Sequence, residues 1–246
     1  MGSVISKWNN AMILWRDPEL RQHIPVTVPL TKQHLHGMLQ EFPFVYLKPD
    51  NSCQGKGLFR IDRMGPNRYL MRARDVQLEL KYENFTRMCK DLRNARMRRP
   101  YIIQEGISSQ TPGGAMMDIR VHLTRVDGKW EIAGLVGRVA QPRKIATNAY
   151  SGGKSVHVDE LLTKEMGYSE EHAQQTIEKL KSISERAVQR ISARYPSWSE
   201  YGLDIGIDKQ GHLWIYEINI RPGTLVFKNL SAESCERVLE LRKKAR

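Results

Sequence analysis

Apolar residues recur every three to four positions from Ala173 through Ile177, Leu180, Ile183, Ala187 and Ile191, which predicts a helix over Glu170–Arg194. Ser169 can cap it, and Glu170 and Glu171 suit its positive end. The same spacing predicts helices over Lys7–Arg21 (broken or restarted at Pro18), Lys32–Gln40 behind Thr31, Asn84–Met97 and Ala232–Arg246. Between them the period switches to two. Phe44–Pro49, Leu58–Asp62, Arg68–Arg72, Val76–Lys81 and Tyr101–Ile107 read as strands separated by Gly, Pro and Asn turns. Asp118–Val126 and Trp130–Ala140 form a hairpin through Asp127-Gly128, and Gly202–Asp208 and Leu213–Ile220 another through Gln210-Gly211. Antiparallel strands interleaved with helices predict an α+β fold.

The most informative polar positions lie in the last hairpin. Alternation places Leu213, Ile215, Glu217 and Asn219 on one face, with Glu217 and Asn219 roughly 6.6–6.8 Å apart along the strand. If Gln210-Gly211 is a two-residue loop, Lys209 faces His212 and Asp204 stands directly opposite Glu217. Two facing carboxylates repel unless a cation lies between them. With the Asn219 amide oxygen they make a hard, all-oxygen set suited to Mg²⁺ that carries a phosphate. A plain surface hairpin is the alternative, and a register shifted by one moves Asp204 to the other face.

Two further stretches carry chemistry. In Tyr46-Leu-Lys48-Pro-Asp-Asn-Ser-Cys-Gln-Gly55-Lys56-Gly57, a strand bearing an inward lysine runs into a loop with two glycines. Such a loop lets backbone N–H groups approach phosphate oxygens, although its spacing is neither that of a P-loop nor that of a Rossmann turn. In Asp118-Ile-Arg120-Val-His122, alternation stacks three ionisable side chains on one face, with Arg138 on the neighbouring strand. That face either lines a cleft or is simply solvated.

Composition narrows the field. Lys and Arg number 39 against 27 Asp and Glu, a formal charge of +12, so a polyanionic ligand is expected without a choice among nucleotide, nucleic acid and acidic polymer. The chain is 40% hydrophobic, too much for a disordered protein. No apolar run is long enough to span a membrane, and Met1–Asn10 lacks the apolar stretch of a secretory signal. Cys53, Cys89 and Cys235 are scattered without metal-ligand spacing, so a reducing, cytoplasmic setting is expected. Arg93, Arg96, Arg98 and Arg99 read as a solvated helix end, with a dock for an acidic or peptide partner or for nucleic acid as the rival reading. His23, His34, His36, His157 and His172 are dispersed and expected at the surface. No nucleic-acid-binding signature accompanies the charge.

Taken in order, these motifs resemble the ATP-grasp superfamily, in particular its YheC/YheD-like, endospore coat-associated branch, from Ser6-Lys7-Trp8 to Arg221-Pro222-Gly223. The resemblance implies ATP held between two α+β lobes. It divides the chain into an N-terminal helical segment (1–42), a small lobe with the glycine loop (43–107) and a large lobe with the metal site and basic tail (108–246). The domain that usually precedes the grasp is expected to be missing. By the same resemblance, Lys7 and Lys48 reach the ATP phosphates and Gln54-Gly55-Lys56-Gly57 is the mobile loop that closes over them. Gln104-Glu105-Gly106-Ile107 meets the adenine edge. Asp118 and Arg120 match the Asp-x-Arg strand, and Arg138 the arginine that steadies the transferred phosphate. Asn148 with Gly152-Gly153 matches the loop near the γ-phosphate, and Asp204, Glu217 and Asn219 match the ligands of two Mg²⁺ ions.

The implied activity is a carboxylate–amine or carboxylate–thiol ligase acting through an acylphosphate. Its substrates would be a small-molecule or peptide carboxylate and an amine-type acceptor. A structural spore-coat component that keeps the nucleotide fold but little catalysis is the competing reading. Ala146 stands where glutamate-ligase relatives often have arginine, so the acceptor cannot be borrowed from them.

Overall fold

The computed structural model describes residues 6–51, 56–74, 78–140 and 153–245. The chain forms two compact units, residues 1–9 with 25–107 and residues 10–24 with 108–246. Among the described residues, no helix is long and apolar enough to cross a membrane.

The first unit is built on a six-stranded antiparallel sheet. Its strands are β1 (Thr27–Pro29), β2 (Phe44–Pro49), β3 (Phe59–Gly65), β4 (Arg68–Ala73), β5 (Leu78–Tyr82) and β6 (Tyr101–Glu105), in the order β1-β6-β2-β3-β4-β5. Helices α2 (Lys32–Glu41) and α3 (Phe85–Ala95) start where Thr31 and Asn84 accept the amides of His34 and Arg87. Their apolar stripes, Leu35, Met38 and Leu39 with Met88 and Leu92, bury one sheet face formed by Val45, Leu47, Ile61, Met71 and Ile103. Strand β1 was not foreseen. It is a three-residue edge strand ending in Pro29, too short for a period to register.

The second unit carries a five-stranded antiparallel sheet. It comprises β7 (Met117–Val126), β8 (Lys129–Val139), β9 (Lys154–Val156), β10 (Glu200–Ile207) and β11 (Leu213–Ile220), in the order β11-β10-β7-β8-β9. Asp127 and Gly128 make the β7–β8 turn, both at positive φ (48° and 81°) as a two-residue hairpin loop demands. A short helix α4 (Val158–Glu160) continues as a π turn, and α5 spans Glu170–Arg194, the bounds that its periodicity predicts. The stripe of α5, including Leu180, Ala187 and Ile191, packs on Ile119, Val121, Leu203, Ile205 and Leu213. At about 1.5–3 kcal/mol for each large apolar side chain buried, this contact dominates the unit's stability. On the opposite sheet face, α6 (Leu225–Lys228) and α7 (Ala232–Lys244) set Val226, Phe227 and Val238 against Ala133 and Val136.

Two expectations need correction. The first helix, α1 (Lys7–Trp15), ends well before Arg21. Asp17 turns its buried carboxylate back on the amides of Glu19 (3.0 Å) and Leu20 (3.1 Å), a local cap that outcompetes the helix ahead of Pro18. Arg186 and Arg190 of α5 hold the same carboxylate, at 2.9 and 2.5 Å. Burial pushes its pKa up, but these hydrogen bonds prevail and keep it well below the usual carboxylate range. His23, expected at the surface, is buried. Its Nδ1 lies 2.7 Å from the Leu213 carbonyl, and its ring stacks on His212.

Candidate functional site

Strand β7 lies between β8 and β10, and register turns its alternating polar residues into cross-strand rows. Arg120 pairs with Asp204, Asp118 with Arg138, and Asp204 in turn with Glu217. The side chains follow this pattern. Arg120 Nε donates to Asp204 Oδ1 at 2.6 Å. Arg138 spans both acids, donating to Asp118 Oδ1 and Oδ2 at 2.6 Å each and reaching Asp204 Oδ1 at 2.8 Å. Burial disfavours the Arg138 charge, yet Asp118 and Asp204 more than offset this and raise its pKa above the usual arginine value. Asn219 Nδ2 lies 3.5 Å from Asp204 Oδ2. Gly202 and Gly206 keep this face of β10 low. A Cβ on Gly202 would lie 2.8 Å from the Pro222 ring, and one on Gly206 would overlap Tyr216.

Asp204 does face Glu217, but the hairpin gets there by another route. The turn residues are Lys209, Gln210 and Gly211, so Asp208 rather than Lys209 meets His212, whose carbonyl accepts the Asp208 amide at 3.0 Å. The Asp208 carboxylate organises this turn by accepting the amides of Gln210 and His212, each at 2.9 Å. Pairing therefore runs one residue out of step, Ile205 with Ile215, until a bulge at Tyr216 restores it at Asp204 and Glu217. The bulge also corrects the facing. Leu213 and Ile215 join Ile218 in the apolar core, while Glu217 and Asn219 lie on the face of Asp204.

Whether this set suits Mg²⁺ can be judged from its chemistry. Asp204, Glu217 and Asn219 supply hard oxygens, once a half-turn of the Asn219 amide presents its Oδ1. Arg120 and Arg138 hold Asp118 and Asp204 on this face, and Glu217 stands opposite Asp204. Among the described residues, no three His, Cys, Asp or Glu side chains gather into a group that could hold a metal. With only two carboxylates and one amide, the donor set would supply part of a Mg²⁺ shell, the remaining ligands coming from phosphate or water.

The other end of this face is closed. His122, fully buried, places Nε2 2.6 Å from Glu200 Oε1, and Arg242 of α7 donates to the same oxygen at 2.7 Å and to the Pro222 carbonyl at 2.8 Å. Burial holds the His122 pKa below its ordinary value. It raises that of Glu200, but hydrogen bonds from His122 and Arg242 bring Glu200 down overall. Arg242 thereby ties the C-terminal helix to the turn that follows Asn219.

The first unit holds the remaining candidates. Lys7 opens α1. Its amide donates to the Asp50 carbonyl (3.0 Å) and that of Trp8 to Asp50 Oδ1 (2.8 Å), so a residue two beyond Lys48 caps the helix. Lys48 Nζ donates to Gln104 Oε1 at 2.5 Å, across paired strands β2 and β6. Glu105 Oε2 accepts the Val26 amide at 3.0 Å, and burial raises its pKa. Ile107 is buried and Lys56 exposed. Gly57 has φ +72°, and a Cβ there would lie 2.6 Å from the Tyr101 hydroxyl, which donates to the Gly57 carbonyl. Gln54, Gly55, Asn148 and Gly152, and with them most of the two candidate loops, lie outside the described residues.

Sequence reasoning missed the salt bridges that lock this arrangement, Arg120–Asp204 above all, because the partners are 84 residues apart. It also missed Glu200 and Arg242, and, in the first unit, a cluster of Arg60, Asp62 and Arg72. Alternating glycines at 202 and 206 were the available signal for a strand face approached closely by other groups.

The chain resembles known proteins over most of its length. The chain is 22% identical over 232 residues to the endospore coat-associated protein YheD of Bacillus subtilis, covering 91% of this chain and 49% of that protein. It is 24% identical over 238 residues to YheC of the same organism, covering 94% of this chain and 64% of that one. The chain thus spans about half to two-thirds of the length of these curated relatives. The D-alanyl-alanine synthetase A structure from Vibrio cholerae superposes on 98% of this chain and 65% of its own, with a TM-score of 0.57 at 11% identity, a likeness of fold alone. The profile of the YheC/D-like ATP-grasp family matches residues 2–243, and the chain belongs to that family.

Proposed function

We propose that this protein is an ATP- and Mg²⁺-dependent ligase that joins a carboxylate to an amine or similar nucleophile through an acylphosphate. The observation that carries the reading is the Asp204–Glu217 register pair with Asn219, set beside the Arg120 and Arg138 forks on one sheet face. With Arg120 and Arg138 fixing Asp204, Glu217 and Asn219 bring further hard oxygens beside it, the kind of set that suits a divalent cation.

In this reading, Asp204, Glu217 and Asn219 hold Mg²⁺, which when bound offsets charge on the ATP phosphates. Arg138 and Arg120 add fixed positive charge, and their aspartate partners hold both guanidiniums in place without reorganisation during the reaction. Lys48, oriented by Gln104, and Lys7 and Lys56 neutralise phosphate oxygens, while Gln104, Glu105 and Ile107 receive the adenine. A carboxylate oxygen of the substrate attacks the γ-phosphorus and the bond to the ADP oxygen breaks. The acceptor nitrogen then attacks the acyl carbon, phosphate leaves with the C–O electron pair, and the nitrogen loses a proton. The chain's own work is charge neutralisation and alignment.

The names of the relatives support a second reading, a coat-associated protein with little catalysis, and with it a spore-associated rather than purely cytoplasmic setting. Measuring ADP release with Mg²⁺ against pooled carboxylates and amines separates the two. The ligase reading expects substrate-dependent ADP that disappears in Glu217→Gln. Nucleotide affinity that is the same with and without Mg²⁺ in a calorimetric titration would count decisively against it.

A further inference from the structure

Across the six-stranded sheet, on the face away from α2 and α3, register pairs line up one row: Thr27, Gln104, Tyr46, Arg60, Arg72 and Glu79. Two arginines at its centre share a single carboxylate. Arg60 donates to Asp62 Oδ1 through Nε (3.0 Å) and Nη2 (2.6 Å), and Arg72 Nη2 donates to Oδ2 at 2.7 Å. The arginine side chains are only 16% and 28% exposed. Each guanidinium carries five N–H donors, so Asp62 satisfies a minority of them, and the buried Nε of Arg72 has no hydrogen-bond partner. Burial opposes the Arg60 charge, but Asp62 and Tyr46 more than offset it, so the guanidinium stays protonated. Glu79, across from Arg72, is exposed, where water screens its charge. The Arg60 guanidinium also lies 3.8 Å over the Phe44 ring, which fixes its plane.

A half-buried cationic pair with one shared aspartate and an idle donor is costly for a fold and useful for a ligand. We propose that Arg60 and Arg72 form an oxyanion-binding site, and that its occupant is the carboxylate of an acidic substrate rather than a phosphate of the nucleotide. Planar guanidinium forks match a planar carboxylate, and Asp62 already shows that fit. The nucleotide candidates Lys48 and Gln104 sit on β2 and β6, whereas Arg60 and Arg72 lie one and two strands beyond β2, roughly 5–10 Å away. Naming the occupant a substrate rests on the ligase reading. The binding of oxyanions does not.

The test uses the full chain without nucleotide, titrated with glutarate, succinate and inorganic phosphate at constant ionic strength. Saturable glutarate or succinate binding is expected, weakened about tenfold in Arg72→Met by loss of a charge-assisted contact. It should change less than about twofold in Arg87→Met, which removes the same charge from an exposed position of α3. Asp62→Asn should tighten it, because a competing carboxylate is gone. Absence of saturable binding to either dicarboxylate, or equal losses in Arg72→Met and Arg87→Met, overturns the site. A preference for phosphate, with ADP affinity falling in parallel in Arg72→Met, overturns the assignment of the occupant. Intact dicarboxylate binding in a protein that never releases ADP would sink the ligase reading and leave the oxyanion site standing.

Discussion

On the five-stranded sheet, Arg120 and Arg138 share Asp204, with Asp118 and Glu217 at the flanking strand positions. On the six-stranded sheet, Arg60 and Arg72 share Asp62, with Lys48 on the neighbouring strand. Both faces are polar rows laid across antiparallel strands, both lie opposite a helix-covered apolar face, and both use arginine as the cation. They differ in what surrounds the arginines. One sets carboxylate and amide oxygens beside them, which suit a divalent cation, and the other leaves N–H donors beside a single shared aspartate, which suit an anion. They differ too in how tightly the arginines are held. Arg138 is nearly buried and contacts two acids, while Arg72 makes one contact and retains an idle donor.

The difference in tightness yields the largest expected effect. Arg138→Met removes the fork from the buried Asp118 and leaves Asp204 to Arg120, and should cost about 3 kcal/mol or more, whereas Arg72→Met, partly exposed and singly bonded, should cost about 1 kcal/mol or less. Urea denaturation of both variants measures the contrast, and similar losses would show that the two faces are not built differently. Next in size is Lys48→Ala. It should cut ADP release by about 100-fold or more with the fold intact, as expected for a fixed charge set against phosphate. A folded variant with near-normal turnover would remove Lys48 from the mechanism. Glu217→Gln sharpens the comparison from the other side. It should weaken Mg²⁺-dependent nucleotide binding about tenfold or more, while apo stability stays within about 0.5 kcal/mol or rises, since one of two facing carboxylates is neutralised.

The smallest effect is one of pH. Because the His122 pKa is depressed in the fold, the unfolded chain takes up its proton first. Stability present above about pH 6.5 is therefore lost as pH falls towards the folded value, at no more than about 1.4 kcal/mol per pH unit. Glu200, also depressed, adds a loss of the same sign below about pH 4.3. His122→Gln should flatten the upper part of this decline between pH 7 and pH 5, leaving the contribution of the buried His23. An unchanged slope in that variant would rule out His122 as the group responsible.

These contrasts also show what could be read from the sequence. The Asp118, Arg120 and His122 face was legible because β7 keeps a strict period of two. Helix α5 was legible to the residue because its stripe and its Ser169 cap agree. The pairing of Asp204 with Glu217 emerged from a turn assigned one residue too short and a bulge left out, two errors that cancel. Arg120–Asp204, Lys48–Gln104 and Arg242–Glu200 were out of reach, because each depends on packing between segments 84, 56 and 42 residues apart, for which local periodicity carries no information. The Arg60–Asp62–Arg72 cluster was nearer to hand. Period two already put Arg60 and Asp62 on one face, but the register that adds Arg72 comes from the β3–β4 pairing.

The compensating bulge at Tyr216 has a consequence for how this hairpin can vary in length. A two-residue loop without a bulge and the observed three-residue turn with one place the same number of residues between the facing carboxylates. The distance along the chain is thus a count that two different shapes satisfy. Removing Tyr216 alone would leave the three-residue turn in place and make the ladder regular, with Ile215 still opposite Ile205 and Glu217 still opposite Asp204. The tip beyond Asp204 and Glu217 therefore behaves as an exchangeable insert whose length and conformation can both vary while Asp208 still pairs with His212.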